Sequence, residues 1–377
     1  MNIALLCYFK PNTAPFVRTL SFVEEWTKEH RLFLIKNYED EDAIAKSGET
    51  KNLEIFYIRC LEKIRKYGCL IAFFLNTHKI IREIKKRRSD VVYITNPRLF
   101  FLAPIFDFFG IKYILEIRDY WRRKIKLSYI EYFLMKMFAR RATMVVTVTS
   151  SFKEKISKEL GVKDEKILLI PNGADTSRFY LEKNEKLKSE LDLEDFKIVM
   201  YVGLMDYVKG LEDFVRAFKF VSKEKNVKFL LIGEGPEKNN LMKIAKEEGI
   251  DNVLFFDPVE YSMIPDYLSI ADIGIVPLKP MQETNFAIPS KLFEFMAAGV
   301  PVIASATYEL SKVVNESMAG LCVENPQEIA SAILHLLNNE DKRKEMGENG
   351  RKYVVENYDR RKLARKLIEI MQERLAS

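Results

Sequence analysis

The sequence predicts an α/β protein built as two tandem doubly wound parallel sheets facing a cleft, and three observations predict it. Short β-branched or aromatic runs, apolar throughout, alternate with longer helix-period stretches, the pattern of parallel strands covered on both faces. The alternation pauses over residues 172–193, where Gly173 and several Lys and Glu residues interrupt the apolar period, and then restarts. The length of 377 residues, at ~150 residues per domain, suits two to three domains.

Taken in order, the first half carries expected strands at 3–9, 31–37, 52–58, 91–95, 112–117, 143–148 and 166–170. Helix-period stretches at 17–29, 61–88, 130–141 and 151–160 lie between them. Residues 172–193 read as an interdomain connection. The second half carries strands at 197–202, 227–232, 253–256, 273–277, 301–304 and 320–323. The final stretch, 360–376, is a basic amphipathic helix that could belong to either unit; assigned to the first, it gives domains of 1–172 with 360–377 and 173–359. The expected site is the cleft, because open parallel sheets bind ligands beyond the carboxyl ends of their strands.

Composition narrows the class. A chain 48% hydrophobic and 30% charged is that of a soluble globular protein, and excludes disordered, collagen-like and disulfide-stapled chains. Sixty basic against 54 acidic residues leave a net charge of +6, compatible with an anionic partner without choosing one. Cys7, Cys60, Cys69 and Cys322 form no CxxC pair, and His30, His78 and His335 are scattered, so no metal site, no disulfide framework and a reducing cytoplasmic interior are expected. The opening MNIALLCYFKPN lacks the basic region and cleavage site of a secretory signal. No apolar run approaches the ~20 residues that cross a bilayer.

The strongest local signal runs from Ile288 to Ile303. Pro289 suits a helix start and Gly299 a helix end just before a strand. The N-terminus of such a helix offers free N–H groups and a positive dipole end, which fits a diphosphate. Ser290 and Glu294, spaced i, i+4, share one face with Lys291 beside them, so Glu294 is placed to accept hydrogen bonds from ribose hydroxyls. An ordinary capped helix with a solvated Lys291–Glu294 pair is the alternative. The stretch from Gly203 through Lys209 to Gly210 follows a strand and opens a helix, with Lys209 where a phosphate-neutralising cation would sit; a plain βα turn is the alternative there. Gly233-Glu234-Gly235-Pro236 forms a similar turn, but Lys238 follows Glu237 in place of a third glycine, so the dinucleotide fingerprint is incomplete.

Together these segments are more specific than any one. In this order the Gly203–Gly210 turn, Ile232-Gly233-Glu234-Gly235-Pro236, the run from Ala271 to Leu278 and the Pro289-Ser290-Lys291 helix with Glu294 resemble the nucleotide-sugar-binding half of the family 4 glycosyltransferases. Pro171-Asn172-Gly173-Ala174-Asp175 resembles that family's Pro-Asn-Gly-Val-Asp turn. The resemblance implies the GT-B fold of two Rossmann-like domains, an N-terminal one for the acceptor and a C-terminal one for the donor. It implies that Glu294 binds the donor ribose, that Lys209 binds the diphosphate, that the amides around Ile288–Lys291 hold the distal phosphate, and that Gly233–Pro236 lies near the nucleotide. Glu116-Ile117-Arg118-Asp119-Tyr120-Trp121 resembles the Asp-Leu-Trp-Pro segment of a bacterial surface-polysaccharide branch, which implies Asp119 at a strand end facing the cleft; a turn or helix-capping aspartate is the alternative.

Three positions depart from the family pattern. Phe286 stands where the first glutamate of the Glu-x7-Glu element belongs, with Glu283 nearby as a substitute. Leu204 and Met205 occupy the turn that carries an arginine beside the phosphate lysine. The N-terminal loop, Pro11 to Pro15, has no glycine, so Asn12 and Thr13 are expected against the sugar or acceptor rather than a phosphate, with Arg18 supplying charge from the next helix.

Two stretches, 69–88 and 129–141, mix bulky apolar and basic residues. They read either as helices resting on an anionic membrane surface or as ordinary sheet-covering helices. The resulting expectation is a metal-independent, cofactor-free, retaining glycosyltransferase. It would move a hexose or acetamido-hexose from a UDP- or GDP-sugar to a glycan or lipid-linked acceptor in cell-surface polysaccharide or glycoconjugate synthesis. It would be cytoplasmic, with peripheral contact to an anionic membrane and no nucleic-acid partner. Asp119 would orient the acceptor hydroxyl and Lys209 would stabilise the leaving diphosphate. A same-fold nucleotide-sugar epimerase and a non-catalytic sugar-nucleotide-binding or membrane-associated protein are the alternatives.

Overall fold

The computed structural model describes residues 1–7, 14–37, 52–58, 68–118, 127–221, 226–281 and 284–376. The chain divides into two compact units, Met1–Pro171 with Arg360–Ser377, and Asn172–Asp359.

In the first unit seven strands form one all-parallel sheet: β1 (Asn2–Cys7), β2 (Arg31–Asn37), β3 (Leu53–Ile58), β4 (Val91–Ile94), β5 (Tyr113–Glu116), β6 (Met144–Thr147) and β7 (Ile167–Leu169), in the order β3-β2-β1-β4-β5-β6-β7. In the second, β8 (Lys197–Val202), β9 (Val227–Ile232), β10 (Val253–Phe256), β11 (Ile273–Val276), β12 (Val302–Ser305) and β13 (Gly320–Val323) run parallel in the order β10-β9-β8-β11-β12-β13. Each order reverses direction once, between β1 and β4 and between β8 and β11, and ligands bind outside the carboxyl ends of strands at such a switch point. Apolar runs became central strands because both faces are covered. Ile198 and Met200 enter one core of the second unit while Val199 and Tyr201 enter the other.

The terminal helix Arg360–Ala376 belongs to the first unit, where the indole N–H of Trp26 donates to the Ala364 carbonyl at 2.8 Å and Glu25 pairs with Arg365. Two expectations need correction. The helix read over 61–88 is two helices among the described residues, Gly68–Leu75 and Thr77–Lys86. Between them the Asn76 side chain donates to the Ala72 carbonyl and Thr77 Oγ1 to the Phe73 and Phe74 carbonyls, so short polar side chains take over the helix-end acceptors. The stretch 172–193 is not a bare connection. Ala174, Phe179 and Leu193 are buried in the core of the second unit, with Leu187 and Leu191 packed against it. Asn172 starts that unit, one residue earlier than expected.

Candidate functional site

The helix Ser290–Ala297 is gripped from several directions within the second unit. On β11, Gly274 leaves room for the Phe295 ring: a Cβ there would lie 2.5 Å from it. Gly347 and Gly350 on the helix Glu340–Asn357 let that helix approach the Gly299 carbonyl and Met296, and Arg351 donates to the carbonyls of Ala297 and Phe179. Gly299, at φ +70°, ends the segment in the left-handed conformation that glycine favours. With its C-terminal end fixed, the helix presents its N-terminus open. The N-cap position is Pro289, φ −61° and ψ 135°, which has no side chain that can cap the first turn. The preceding turn is tied by the Asn172 amide, which donates to the Ile288 carbonyl at 3.2 Å.

Two loops lie beside this helix end. After β8 the chain runs through Gly203 to a single 3-10 turn, Tyr207–Lys209; after β9 it runs through Gly233 to Pro236. They are zipped by backbone hydrogen bonds: Gly203 N to Ile232 O at 2.9 Å, Met205 N to Glu234 O at 2.7 Å and Glu237 N to Met205 O at 3.0 Å. The glycines make this possible. A Cβ on Gly233 would lie 2.1 Å from the Gly203 carbonyl oxygen, and one on Gly235 the same distance from that of Met205. Lys238 closes the second loop, its ammonium donating to the carbonyls of Gly233 and Phe256 and to Asp257.

The charges converge from these loops and the helix. Lys209, half-buried, pairs with no carboxylate among the described residues. Lys279 sits nearby but is committed to Glu212 at 2.7 Å and lies over the Tyr207 ring. Glu294, one turn into the helix, accepts from the Tyr261 hydroxyl at 3.0 Å. The Lys291 Nζ is buried without a hydrogen-bond partner, 3.5 Å from the centroid of the Tyr201 ring. Burial first, and then the Lys209 charge, hold its pKa well below the ordinary lysine value, against the pull of Glu294 and Asp206. The solvated Lys291–Glu294 pair allowed by the sequence is therefore not formed.

The structure brings Gly203, Lys209, Gly233, Glu234, Gly235, Pro236, Ile288, Pro289, Ser290, Lys291 and Glu294 onto one unit, on the loops after β8 and β9 and at the helix N-terminus. Asn12, Thr13, Asp119 and Glu283 lie outside the described residues. Phe286 is half-buried in the turn Thr284–Phe286. Arg18 needs a correction: it is not a free positive charge for a substrate. Its guanidinium is buried, donating to Glu116 Oε1 at 2.8 Å and to the carbonyls of Ile170 and Pro171. Sequence reasoning missed Tyr261, which holds Glu294, and Thr284, whose hydroxyl donates to Lys279 O and accepts from Met281 N to fold the loop before the helix. Neither carries a local pattern; only the fold brings them to these partners.

Two all-parallel sheets with single switch points, and an uncapped helix end among cationic loops, define the class: a GT-B protein of two Rossmann-like domains. Solved structures agree on the fold. The HepE protein of Anabaena, crystallised with UDP and glucose, superposes with a TM-score of 0.80 at 16% identity over 99% of each chain. The family model for group 1 glycosyltransferases matches residues 182–353, and that for glycosyltransferase family 4 matches residues 19–178. The chain belongs to these glycosyltransferases. Among relatives, an uncharacterized glycosyltransferase of Methanocaldococcus jannaschii is 26% identical over 60% of this chain, a match that spans 59% of that relative. The capsular polysaccharide biosynthesis glycosyltransferase CapM of Staphylococcus aureus is 28% identical over 75% of this chain and 77% of its own.

Proposed function

We propose that this protein is a retaining glycosyltransferase that moves a hexose or acetamido-hexose from a UDP- or GDP-sugar to a glycan or lipid-linked acceptor in cell-surface polysaccharide or glycoconjugate synthesis. The observation that carries the donor assignment is the rigidly held, uncapped N-terminus of Ser290–Ala297 beside an unpaired Lys209. The crystallised UDP and glucose of the Anabaena protein, and the capsular role in the name of the Staphylococcus relative, support the choice of donor and pathway class.

The chemistry follows from charge. When the sugar–phosphate bond breaks, the diphosphate gains negative charge while the sugar takes on oxocarbenium character. Preorganised N–H dipoles and the Lys209 ammonium lower the energy of that charge without reorganising, and so need no metal. Glu294, oriented by Tyr261, accepts from the ribose hydroxyls. The acceptor hydroxyl, oriented by Asp119, attacks on the face the diphosphate leaves, which retains configuration, and its proton passes to the departing diphosphate.

The acceptor side is proposed to meet an anionic membrane from the cytoplasm. In the first unit Phe74, Leu75, Phe108 and Phe133 are exposed, and Lys85 and Lys86 end the helix Thr77–Lys86. Ile80, Ile81 and Ile84 of the same helix are buried, so its apolar face covers the sheet and only the projecting aromatics and cations are free for lipid. No helix among the described residues is long and apolar enough to cross a membrane. Sedimentation with anionic vesicles at low and high salt tests this contact, and no pelleting at low salt disposes of it.

Donor binding is tested by titrating UDP and GDP into the wild type and into Lys209→Ala and Glu294→Ala. Each substitution is expected to weaken binding by about 1.5–3 kcal/mol, the worth of a hydrogen bond to a charged group. Unchanged affinity in both variants removes the site assignment. Nucleotide release from UDP- and GDP-sugars with and without acceptor separates transfer from epimerisation and from simple binding.

A further inference from the structure

Buried polar groups in native proteins are nearly always hydrogen-bonded, and an amine is among the costliest to leave without a partner. Lys291 breaks this rule, since its Nζ is inaccessible and has no acceptor, with the π-face of Tyr201 below it. Its position is wrong for stability on a second count. It is the second residue of Ser290–Ala297, where the positive end of the helix dipole disfavours a cation. Lys209 adds repulsion from the loop after β8, and the two carboxylates that attract it, Asp206 on that loop and Glu294 one turn along the helix, make no ion pair with it. Oδ1 of Asp206 is itself buried without a partner. Two lysine side chains, Lys291 and Lys209, thus lie close enough to repel beside one helix N-terminus. An anion with two or more charges placed there turns each of these penalties into an attraction. Gly203 makes room for the Lys291 side chain: a Cβ at that position would stand 3.1 Å from the Nζ.

We propose that the Lys291 ammonium is the second cationic ligand of the donor diphosphate, parked over the Tyr201 ring in the free protein and drawn onto the phosphate oxygens when the donor binds. The role rests on the donor reading above and deepens it. Because burial and Lys209 depress the amine's proton affinity in the free protein, the incoming diphosphate restores it. Binding therefore takes up a proton onto Nζ only in the pH window between the free-state and the bound-state pKa of Lys291.

The test is calorimetric titration of UDP and GDP into the wild type, Lys209→Ala and Lys291→Met, each from pH 7 to 9 in buffers of different ionisation enthalpy. Expected are a loss of at least tenfold in diphosphate affinity for Lys291→Met, and less proton uptake on binding in that variant than in the wild type. Unchanged affinity in Lys291→Met, with affinity lost in Lys209→Ala, overturns the role of Lys291 while leaving the donor site in place. A wild type that binds neither diphosphate overturns the donor reading and this role with it. Should Lys291→Met unfold, Lys291→Gln decides in the same titration: a tenfold loss of diphosphate affinity supports the role, and unchanged affinity overturns it.

Discussion

Gly233→Ala tests the claim that the loops after β8 and β9 are built as one unit. The new Cβ would stand 2.1 Å from the Gly203 carbonyl oxygen, and the residue holds φ +145°. Two costs add. A side chain in a backbone region reserved for glycine costs about 1–3 kcal/mol. Forcing a methyl into a filled space costs about 1–3 kcal/mol more, and here the obstacle is backbone, which cannot swing aside as a side chain can. Together they amount to about 2–6 kcal/mol, which at ~2–4 °C per kcal/mol for a domain of this size lowers the thermal midpoint by at least about 4 °C. Gly249→Ala is the control: φ is +67°, but nothing lies within 4 Å of its added Cβ, so only the left-handed strain of about 1–2 kcal/mol remains. Differential scanning calorimetry ranks the two, with UDP and GDP titration alongside. Since Lys209 rides on the loop that Gly233 supports, diphosphate binding falls in Gly233→Ala and is unchanged in Gly249→Ala. A Gly233→Ala protein no less stable than Gly249→Ala refutes the reasoning.

Two further outcomes follow from the first unit. Arg18→Met removes the nearer of the two guanidiniums at buried Glu116, where the pair's side chains are 3% and 1% exposed, leaves Arg118 at 3.8 Å, and should cost about 1–3 kcal/mol in urea unfolding; a loss under about 1 kcal/mol would show that the Arg18 tie is incidental. Burial opposes ionisation of Glu25, but hydrogen bonds from Lys28 and Arg365 outweigh it and hold its pKa below the ordinary carboxylate range. Its contribution is therefore complete above the unfolded-state pKa of about 4.3 and disappears as the pH falls through the folded-state value. Glu25→Gln should lower the thermal midpoint at pH 6 and flatten its decline below pH ~4.5, and parallel midpoint curves for variant and wild type would contradict the assignment.

How much of the fold was legible depends on how each element earns its burial. The strands of the described residues could be read because the central ones are buried on both faces and leave a continuous apolar run such as Val91–Ile94 or Val227–Ile232, while edge strands such as Leu53–Ile58 are half-buried and still mostly apolar. The strap over 172–193 could not, because its anchors Ala174, Phe179, Leu187, Leu191 and Leu193 follow no period. Its remaining ties are polar: Lys183 to Asp272 at 2.9 Å and Asn184 to Asp266 at 3.0 Å. Asn76 and Thr77 likewise carry no apolar signal, and only their hydrogen bonds to the preceding carbonyls divide the helix.

At the site the same residues were visible in the sequence for a reason that the structure changes. Glycines next to a strand end suggest a backbone that approaches phosphate closely, yet the space at Gly233 and Gly235 is filled by the carbonyls of Gly203 and Met205. Their first task is to let one loop press on another, and the proposed phosphate site depends on what that contact steadies. The same holds for Gly274, which admits Phe295, and for Gly347, which admits the Gly299 carbonyl. Each lets a neighbour fix Ser290–Ala297, whose N-terminus has no side-chain cap. A residue's type announces that a close approach occurs, but not what approaches, and the identity of the visitor is fixed by the packing of segments far apart in the chain. Charge is the complementary case. Lys209 and Lys291 both look like solvated lysines in sequence, and what separates them is that burial has removed every acceptor from one of them. A lysine kept at that cost, at the end of a helix whose dipole repels it, makes physical sense only beside an anion that the free protein does not itself supply.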